Sequence, residues 1–301
     1  TLQNLTLQNF TRTSSFRGGA MFIGTDGAGG GFDSTVFLRN VAFDINTAGS
    51  GGAIHALSTN ITATASELDI DGATFAGNTA LDGNFVNNSG SGGAIFLGDQ
   101  FGTSATDAVI TNATFTGNDA QGDNNEAGGG AIHVDATSTL TITDEGGNVV
   151  IGGDTGGEAN TAQNGGGIFS AGTLTIDDSF SDPNFIAIGG NMATRAGGGI
   201  EVFDGMTTII ASLIGGRFFA GTSGNTAGVN GGGIHTTGGD LTISGDAGIP
   251  SSALIPNNTA VEEGGGIWVG AGTTLTIHDV GGVIISGNEA QGDAAPGAGG
   301  T

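Results

Sequence analysis

The chain has 301 residues, 63 of them glycine, and five basic residues against 29 acidic ones give it a formal net charge of −24. So acidic a surface repels phosphate backbones, which excludes nucleic acid as a partner. The sequence has no cysteine, so disulfide bonds and thiol chemistry are excluded as well. No apolar run approaches the roughly 18 residues of a membrane-spanning helix, so we expect no transmembrane segment.

The pattern Gly-Gly-small-Ile recurs along the chain at intervals of 32 to 41 residues. The first copy has methionine in place of isoleucine, and a ninth copy begins at Gly299 and Gly300, where the sequence stops. The eight complete copies end at Met21, Ile54, Ile95, Ile132, Ile168, Ile200, Ile234 and Ile267. Repetition at such a period indicates an array of one supersecondary unit.

Each repeat holds two further apolar segments. One is a short run such as Leu140–Ile142 or Leu174–Ile176, and the other is an apolar residue three positions before an asparagine, as in Phe43 and Asn46. These segments are short, rich in β-branched residues and separated by Gly, Asn, Asp and Thr, which is typical of strands and turns. Three short strands in about 33 residues predict a single all-β domain over residues 1–301, a right-handed parallel β-helix of about nine coils.

The recurring glycines and asparagines predict the corners of the coil. A glycine pair suits a tight corner where positive φ or close backbone approach excludes a Cβ atom. The asparagine can tolerate left-handed backbone, and its amide can bond to the neighbouring coil, so stacked asparagines would form a structural ladder. Its predicted members are Asn46, Asn78, Asn118, Asn160, Asn191, Asn225, Asn258 and Asn288. The apolar residue three positions earlier is missing before Asn160 and Asn225.

These motifs resemble the repeats of the polymorphic outer membrane protein family. The resemblance rests on paired Gly-Gly-Ala-Ile and Phe-x-x-Asn motifs, found at Gly51–Ile54, Gly92–Ile95, Gly129–Ile132, Phe43–Asn46, Phe75–Asn78 and Phe115–Asn118. It extends over nearly the whole chain, although later repeats use Gly-Gly-Gly-Ile and Ile-x-x-Asn. It implies a surface-exposed, autotransporter-like passenger with a parallel β-helix fold and a role in adhesion.

The residue after each isoleucine forms a candidate binding column. Strand alternation places the isoleucine and the residue two positions later inside, so the residue between them is predicted to point outward. Seven of the eight repeats have an aromatic residue or histidine there, and the exception is Glu201. The predicted column comprises Phe22, His55, Phe96, His133, Phe169, His235 and Trp268.

Three interpretations of this column are open. The rings can stack along the sheet or lie under inserted loops, they can form a lateral contact with another rod or partner, or they can be a carbohydrate-binding platform. The histidines lie two or three coils apart, about 10–15 Å, which is too far to share one metal ion. No metal site is therefore predicted.

Enzyme chemistry is not expected. The sequence has no lysine, its arginines lie outside the strands that recur best, and its carboxylates do not recur at one strand position as paired glycosidase acids would require. We expect no cofactor. Acidic pairs such as Asp144 and Glu145 or Asp177 and Asp178 could bind Ca²⁺ weakly, although a solvated acidic surface is the simpler interpretation.

The two ends of the sequence predict assembly. Neither end offers a polar or helical cap, and open coil edges pair with other strands. We therefore expect the solenoid to continue in a longer polypeptide or to stack head to tail with copies of itself. The residues predicted to make that contact are Leu2, Leu5, Leu7, Phe10, Gly299 and Gly300.

The expected function is that of a non-catalytic extracellular or cell-surface rod, a structural or filament protein that assembles through its open coil ends. An alternative is an adhesin that binds a glycan or a host protein through the aromatic and histidine column. A third alternative is a polysaccharide-degrading β-helix enzyme. Inserted polar loops at Thr25–Ser34, Ala80–Ser91 and Ala120–Ala127 are where family members with such repeats are expected to differ.

Overall fold

The computed structural model describes residues 1–12, 17–24, 35–57, 66–82, 89–98, 105–153, 157–179, 184–216, 223–246, 252–278 and 281–292. In this part of the chain, 30 strands numbered in chain order form three parallel sheets, and there is no helix. The predicted parallel β-solenoid with three strands per coil is therefore confirmed. Within the same residues, no helical segment has the length and hydrophobicity of a membrane span. The insertion at 25–34, part of the one at 80–91, and Gly299 and Gly300 lie outside the described residues.

The first sheet, here called the glycine sheet, consists of three-residue strands that follow the glycine pairs. Its strands are β2 (Met21–Ile23), β5 (Ile54–Ala56), β8 (Ile95–Leu97), β11 (Ile132–Val134), β15 (Ile168–Ser170), β19 (Ile200–Val202), β23 (Ile234–Thr236) and β27 (Ile267–Val269). Neighbouring strands pair residue for residue, so Ile54 lies beside Ile95 and Ile95 beside Ile132. Each repeat of the sequence therefore contributes one strand to this sheet.

The second sheet, the long sheet, has 14 strands. Its strands are β1 (Leu2–Gln8), β3 (Thr35–Asp44), β6 (Ser66–Ala76), β9 (Thr106–Thr116), β12 (Thr139–Thr143), β13 (Val149–Gly152), β16 (Thr173–Asp177), β17 (Ile186–Gly189), β20 (Met206–Ile210), β21 (Leu213–Ile214), β24 (Asp240–Ser244), β25 (Ala253–Pro256), β28 (Leu275–His278) and β29 (Val283–Ser286). Strand β9 pairs with β6 on one side and with both β12 and β13 on the other. One long strand per coil thus gives way to two shorter strands from β12 onward.

The long strands bend at a stacked column of residues with left-handed backbone. Asn4, Asn40, Gly72 and Asn112 have φ angles of 54°, 50°, 74° and 46°, and each lies between flanking pairs that keep the same register. Asparagine and glycine are the residue types that adopt this conformation at least cost. The coil therefore changes direction within a strand, whereas from β12 onward a turn does so.

The third sheet, the short sheet, follows the ladder asparagines. Its strands are β4 (Thr47–Ala48), β7 (Thr79–Ala80), β10 (Asp119–Ala120), β14 (Thr161–Asn164), β18 (Met192–Ala196), β22 (Thr226–Ala227), β26 (Thr259–Ala260) and β30 (Glu289–Ala290). Buried alanines such as Ala48 and Ala80 face inward from it. Small side chains here leave little volume to fill between this sheet and the glycine corners, so the coil closes tightly.

The core is one continuous column of apolar side chains along the solenoid. Phe43, Phe75 and Phe115 stack face to face, with centroid distances of 4.8 and 4.6 Å and rings within 2° of parallel. Ile151 and Ile188 continue this column in the following coils. The centroid spacing equals the distance between strands of a sheet, so equivalent side chains stack without any change of rotamer.

The number of coils is smaller than predicted. The glycine sheet and the short sheet each have eight strands, so seven steps separate their first and last strands, which makes about seven turns. The prediction of about nine included the copy begun at Gly299, which lies outside the described residues.

Candidate functional site

The predicted column lies on the face of the glycine sheet that points away from the core. Ile54 and Ala56 belong to the core cluster, and His55 between them stacks instead on Phe96 at 4.7 Å. Phe96 stacks on His133 at 4.6 Å, and His133 on Phe169 at 4.8 Å. The planes of these rings differ by 5° to 12°. Phenylalanine and histidine thus alternate in a single pile of rings.

The middle of the column, predicted as a candidate binding surface, is covered. His55, Phe96, His133 and Phe169 are at most 1% exposed. Chain segments that lead into glycine pairs lie against the rings. Ser50 Oγ, for example, lies 2.9 Å from His55 Nδ1. The interpretation of rings stacked beneath covering segments describes these four positions.

Covering segments approach the rings so closely that they need glycine. A Cβ atom on Gly128 would lie 2.8 Å from the ring of Phe169. The ends of the column are more open, since Phe22 and Trp268 are half-buried. A lateral contact or a carbohydrate platform would therefore have only the two ends of the column within reach.

The column contains a buried acid–base pair at the one position where the aromatic pattern fails. Glu201 Oε2 lies 2.7 Å from His235 Nδ1, and the two residues are 3% and 6% exposed. Burial raises the pKa of Glu201, and the hydrogen bond with His235 opposes that rise. His235 in turn stacks on Trp268 at 4.4 Å. The sequence placed Glu201 and His235 in equivalent positions of neighbouring repeats, which was the signal for this pair.

The burial of His133 makes the stability of the fold depend on pH. Burial lowers the pKa of His133 to about 3. The unfolded chain takes up a proton as the pH falls below about 6.5, whereas the folded chain does so only near 3. Stability that is present above about 6.5 is therefore lost as the pH falls through this range.

We expect His133→Phe to remove this loss. When the pH is lowered from 8 to 4.5, the free energy of unfolding of the variant should rise by about 2–3 kcal/mol relative to that of the parent. The reason is that the unfolded variant has no histidine at this position to take up a proton. Urea unfolding at both pH values measures the change. The exposed His278 supplies the control, and His278→Phe should shift stability equally at both. An equal shift for His133→Phe would contradict the role of its burial.

The asparagines predicted to form a ladder lie in one column at the corner between the long sheet and the short sheet. Asn46 Nδ2 donates to Asn78 Oδ1 at 2.9 Å, and the same oxygen accepts the backbone N–H of Asn46 at 3.0 Å. Asn78 and Asn118 repeat both bonds. The side-chain link continues at each later step to Asn288. The asparagines from Asn46 to Asn258 are at most 1% exposed.

The second amide hydrogen gives a role to the apolar residue that stands three positions before six of the eight ladder asparagines. Asn78 Nδ2 donates to the carbonyl oxygen of Phe43, and Asn118 Nδ2 donates to that of Phe75. The backbone carbonyl of each phenylalanine thus accepts a hydrogen bond from the asparagine of the next coil, while the side chain of the same phenylalanine fills the core. Both amide hydrogens and both lone pairs of the oxygen are used, so the buried amides are fully satisfied.

Two details of the ladder differ from the prediction. The apolar partner that the sequence lacked is present as Ile151 and Ile214, whose carbonyls accept from Asn191 and Asn258. Inserted residues separate each isoleucine from the asparagine of its own coil, so the three-residue spacing is lost. Left-handed backbone occurs at the residue before the asparagine, as in Gly77 with a φ of 61°.

Three acidic residues, Asp144, Asp177 and Asp178, lie near one another where the turns after β12 and β16 meet. Burial raises the pKa of Asp178 to about 7, and the charges of Asp144 and Asp177 act in the same direction. Over the described residues, no three His, Cys, Asp or Glu side chains gather in an arrangement that could hold a metal ion. Weak calcium binding stays a prediction.

We expect Asp178→Asn to stabilise the protein at pH 8 by about 1–2 kcal/mol, a figure reduced for the partial exposure of this group. The carboxyl group is protonated in both states below about 4 and loses its proton earlier in the unfolded chain, so its contribution is lost as the pH rises toward 7. The variant should gain nothing at pH 3.5. Thermal unfolding at the two pH values measures this, with Asp240→Asn on the exposed surface as control.

The residues predicted to make end-to-end contacts differ in exposure. Leu2 and Phe10 are 37% and 45% exposed, whereas Leu5 and Leu7 pack against the core cluster. Phe10 occupies the place of the ladder asparagine in the first coil, and its backbone N–H donates to Asn46 Oδ1 at 3.1 Å. Gly299 and Gly300 lie outside the described residues.

Comparison with known families identifies the unit that this geometry repeats. Residues 34–57 match the model of the Chlamydia polymorphic membrane protein repeat. The chain carries repeats of the polymorphic membrane protein type. The matched segment holds β3, the ladder residue Asn46, strand β4 and the glycine pair before β5, so one such repeat runs from the long sheet to the glycine sheet. Neither a curated protein nor a solved structure matches the chain.

Proposed function

We propose that the chain is a non-catalytic, rod-forming part of a bacterial surface passenger of the autotransporter-like type, located outside the cell. The observation that carries the proposal is the polymorphic membrane protein repeat at residues 34–57 within a solenoid whose coils stack through three parallel sheets. Repeats of this kind occur in surface proteins of bacteria, and a stacked solenoid supplies a stiff, elongated body.

The contacts of the buried polar side chains support a structural role for the chain. The ladder asparagines bond to one another and to backbone carbonyls, and Glu201 and His235 bond to each other inside the column. These side chains stabilise contacts between coils, and their burial keeps them from a substrate in solvent.

Surface labelling tests the location. Antibodies raised against the purified chain should label intact bacteria that produce the protein, and external protease should remove the label. Labelling that needs permeabilised cells would overturn the proposal. A periplasmic marker protein, which must remain unlabelled on the same cells, controls for leakage.

Assembly through coil ends is the second part of the proposal. Ile277 and Ile285 occupy interior columns of the solenoid, yet in the last described coil they are 48% and 45% exposed. Apolar groups left open in this way favour contact with another coil, and Leu2 and Phe10 offer apolar surface at the opposite end.

Sedimentation of the purified chain tests this assembly. We expect association at high concentration that is lost in the double variant Ile277→Lys and Ile285→Lys. Met206→Lys is the matched control, because Met206 is 53% exposed on the side of the rod. A monomer at all concentrations, or equal loss in the control, would contradict assembly through the ends.

An adhesive role through the aromatic column is not favoured by its burial. Adhesion to a glycan or a host protein would have to use another surface of the rod.

A further inference from the structure

The outer face of the long sheet differs between its first and later coils. On β3, β6 and β9 this face carries Phe37, Asp69 and Val109 in one column, with Glu67 and Asp107 in the column beside it. We call these five residues the acidic face. In the later coils the column that continues from Val109 consists of threonines, in the order Thr141, Thr175, Thr208, Thr242 and Thr276.

The acidic face holds two carboxylates side by side. Glu67 and Asp107 are register partners on neighbouring strands, and like charges in that position repel each other. Thr35 Oγ1 donates to Glu67 at 3.3 Å, which leaves the charge in place. The nearby cation, Arg39, is already engaged by Asp69 through bonds of 3.0 and 2.8 Å. The free chain therefore retains an electrostatic cost that a cationic group bound between Glu67 and Asp107 would remove.

Apolar side chains lie beside these carboxylates. Phe37 and Val109 are 37% and 41% exposed and occupy the same column, on either side of Asp69. The Arg39 guanidinium lies 5.6 Å from the centre of the Phe37 ring, which helps to fix the position of that ring. The outer face of β3, β6 and β9 thus combines negative charge with apolar contact area.

We propose that the acidic face binds an extended protein segment that presents lysine or arginine to Glu67 and Asp107 and apolar side chains to Phe37 and Val109. Side chains on one face of an extended segment recur every two residues, about 6.6 Å, which is also the spacing of Glu67 and Asp69 along β6. Nucleic acids, acidic glycans and anionic membranes are repelled by this charge. A neutral glycan can hydrogen bond to the carboxylates but leaves their mutual repulsion in place.

The proposal goes beyond the function proposed above and concerns the purified chain in solution, so it can fail or succeed independently of surface labelling. The probe is a fluorescent synthetic peptide of the pattern Lys-Ser-Leu-Ser, repeated three times, whose binding to the full chain is followed by anisotropy. We expect saturable 1:1 binding that weakens with added salt.

Conversion of the acidic face to the pattern of the later coils supplies the decisive variants. Glu67→Thr with Asp107→Thr should weaken binding at least about tenfold, and Phe37→Thr with Val109→Thr should weaken it about threefold or more. Glu262→Gln with Glu289→Gln removes the same charge from exposed positions elsewhere and should stay within about twofold of the parent, the scatter expected of a general charge effect. Thermal unfolding of each variant verifies that it is folded.

Several outcomes would overturn the proposal. These are an absence of saturable binding by the parent chain, an equal loss in the Glu262 and Glu289 control, equal binding of a peptide with glutamate in place of lysine, or displacement of the peptide by neutral oligosaccharides. The last result would assign the face to a glycan.

Discussion

Replacing Asn118 by alanine should lower the free energy of unfolding by about 3–5 kcal/mol. The side chain donates to the Phe75 carbonyl at 3.0 Å and to Asn160 Oδ1 at 2.8 Å. It also accepts from the backbone N–H and the Nδ2 of Asn78 at 3.0 and 2.9 Å. Asn118 is 0% exposed, so water cannot replace the four lost partners without entering the core.

Chemical denaturation of the parent and the variant measures this effect. Gln121→Ala is the control, because Gln121 is an exposed amide of similar size that makes one side-chain bond, to Asp119 at 2.8 Å. It should change stability by less than about 0.5 kcal/mol. A loss for Asn118→Ala as small as that of the control would show that the ladder does not hold neighbouring coils together.

A single methyl group at Gly93 should be at least as damaging, with an expected loss of more than about 3 kcal/mol. A Cβ atom there would lie 2.0 Å from the carbonyl oxygen of Gly130 and 2.6 Å from the backbone nitrogen of Asp119. Both atoms are backbone, so no side chain can rotate away, and the coils themselves would have to separate. The hydrogen bond from Gly93 N to Gly129 O at 3.0 Å would then weaken as well.

Thermal unfolding and soluble yield of Gly93→Ala test this, with Gly157→Ala as matched control. Nothing lies within 4 Å of a Cβ atom built on Gly157, so that variant should behave like the parent. Equal behaviour of the two variants would mean that the corners of the solenoid yield more readily than their packing indicates.

Much of the fold could be predicted because the sequence repeats its own structural unit. The motif from Phe43 to Asn46 marks both a core side chain and the corner that follows it. Strand alternation places Ile54 inside and His55 on the opposite face of the same strand. Such signals are local, so they survive in a single sequence. The number of coils was less certain, because a partial repeat at either end looks like a whole one.

The features that could not be predicted from the sequence depend on contacts between segments that are distant along the chain. Alternation fixes which side of the strand His55 faces, but only the path of the chain around Ser50 determines that it is covered. Ile151 takes the role of the missing apolar residue before Asn160 because register along the sheet, not spacing in sequence, decides which carbonyl the next coil reaches.

The ladder and the sheets have a mechanical consequence, because nearly all of their hydrogen bonds run along the axis of the rod. A pull on the two ends loads the interfaces between coils in series, so each bears the full force and the weakest opens first. The bonds within one interface act in parallel and share that force, and each ladder step adds side-chain bonds to the strand bonds of its own interface, as the step from Asn118 to Asn160 does. A rod built in this way would lengthen coil by coil under tension instead of failing at once.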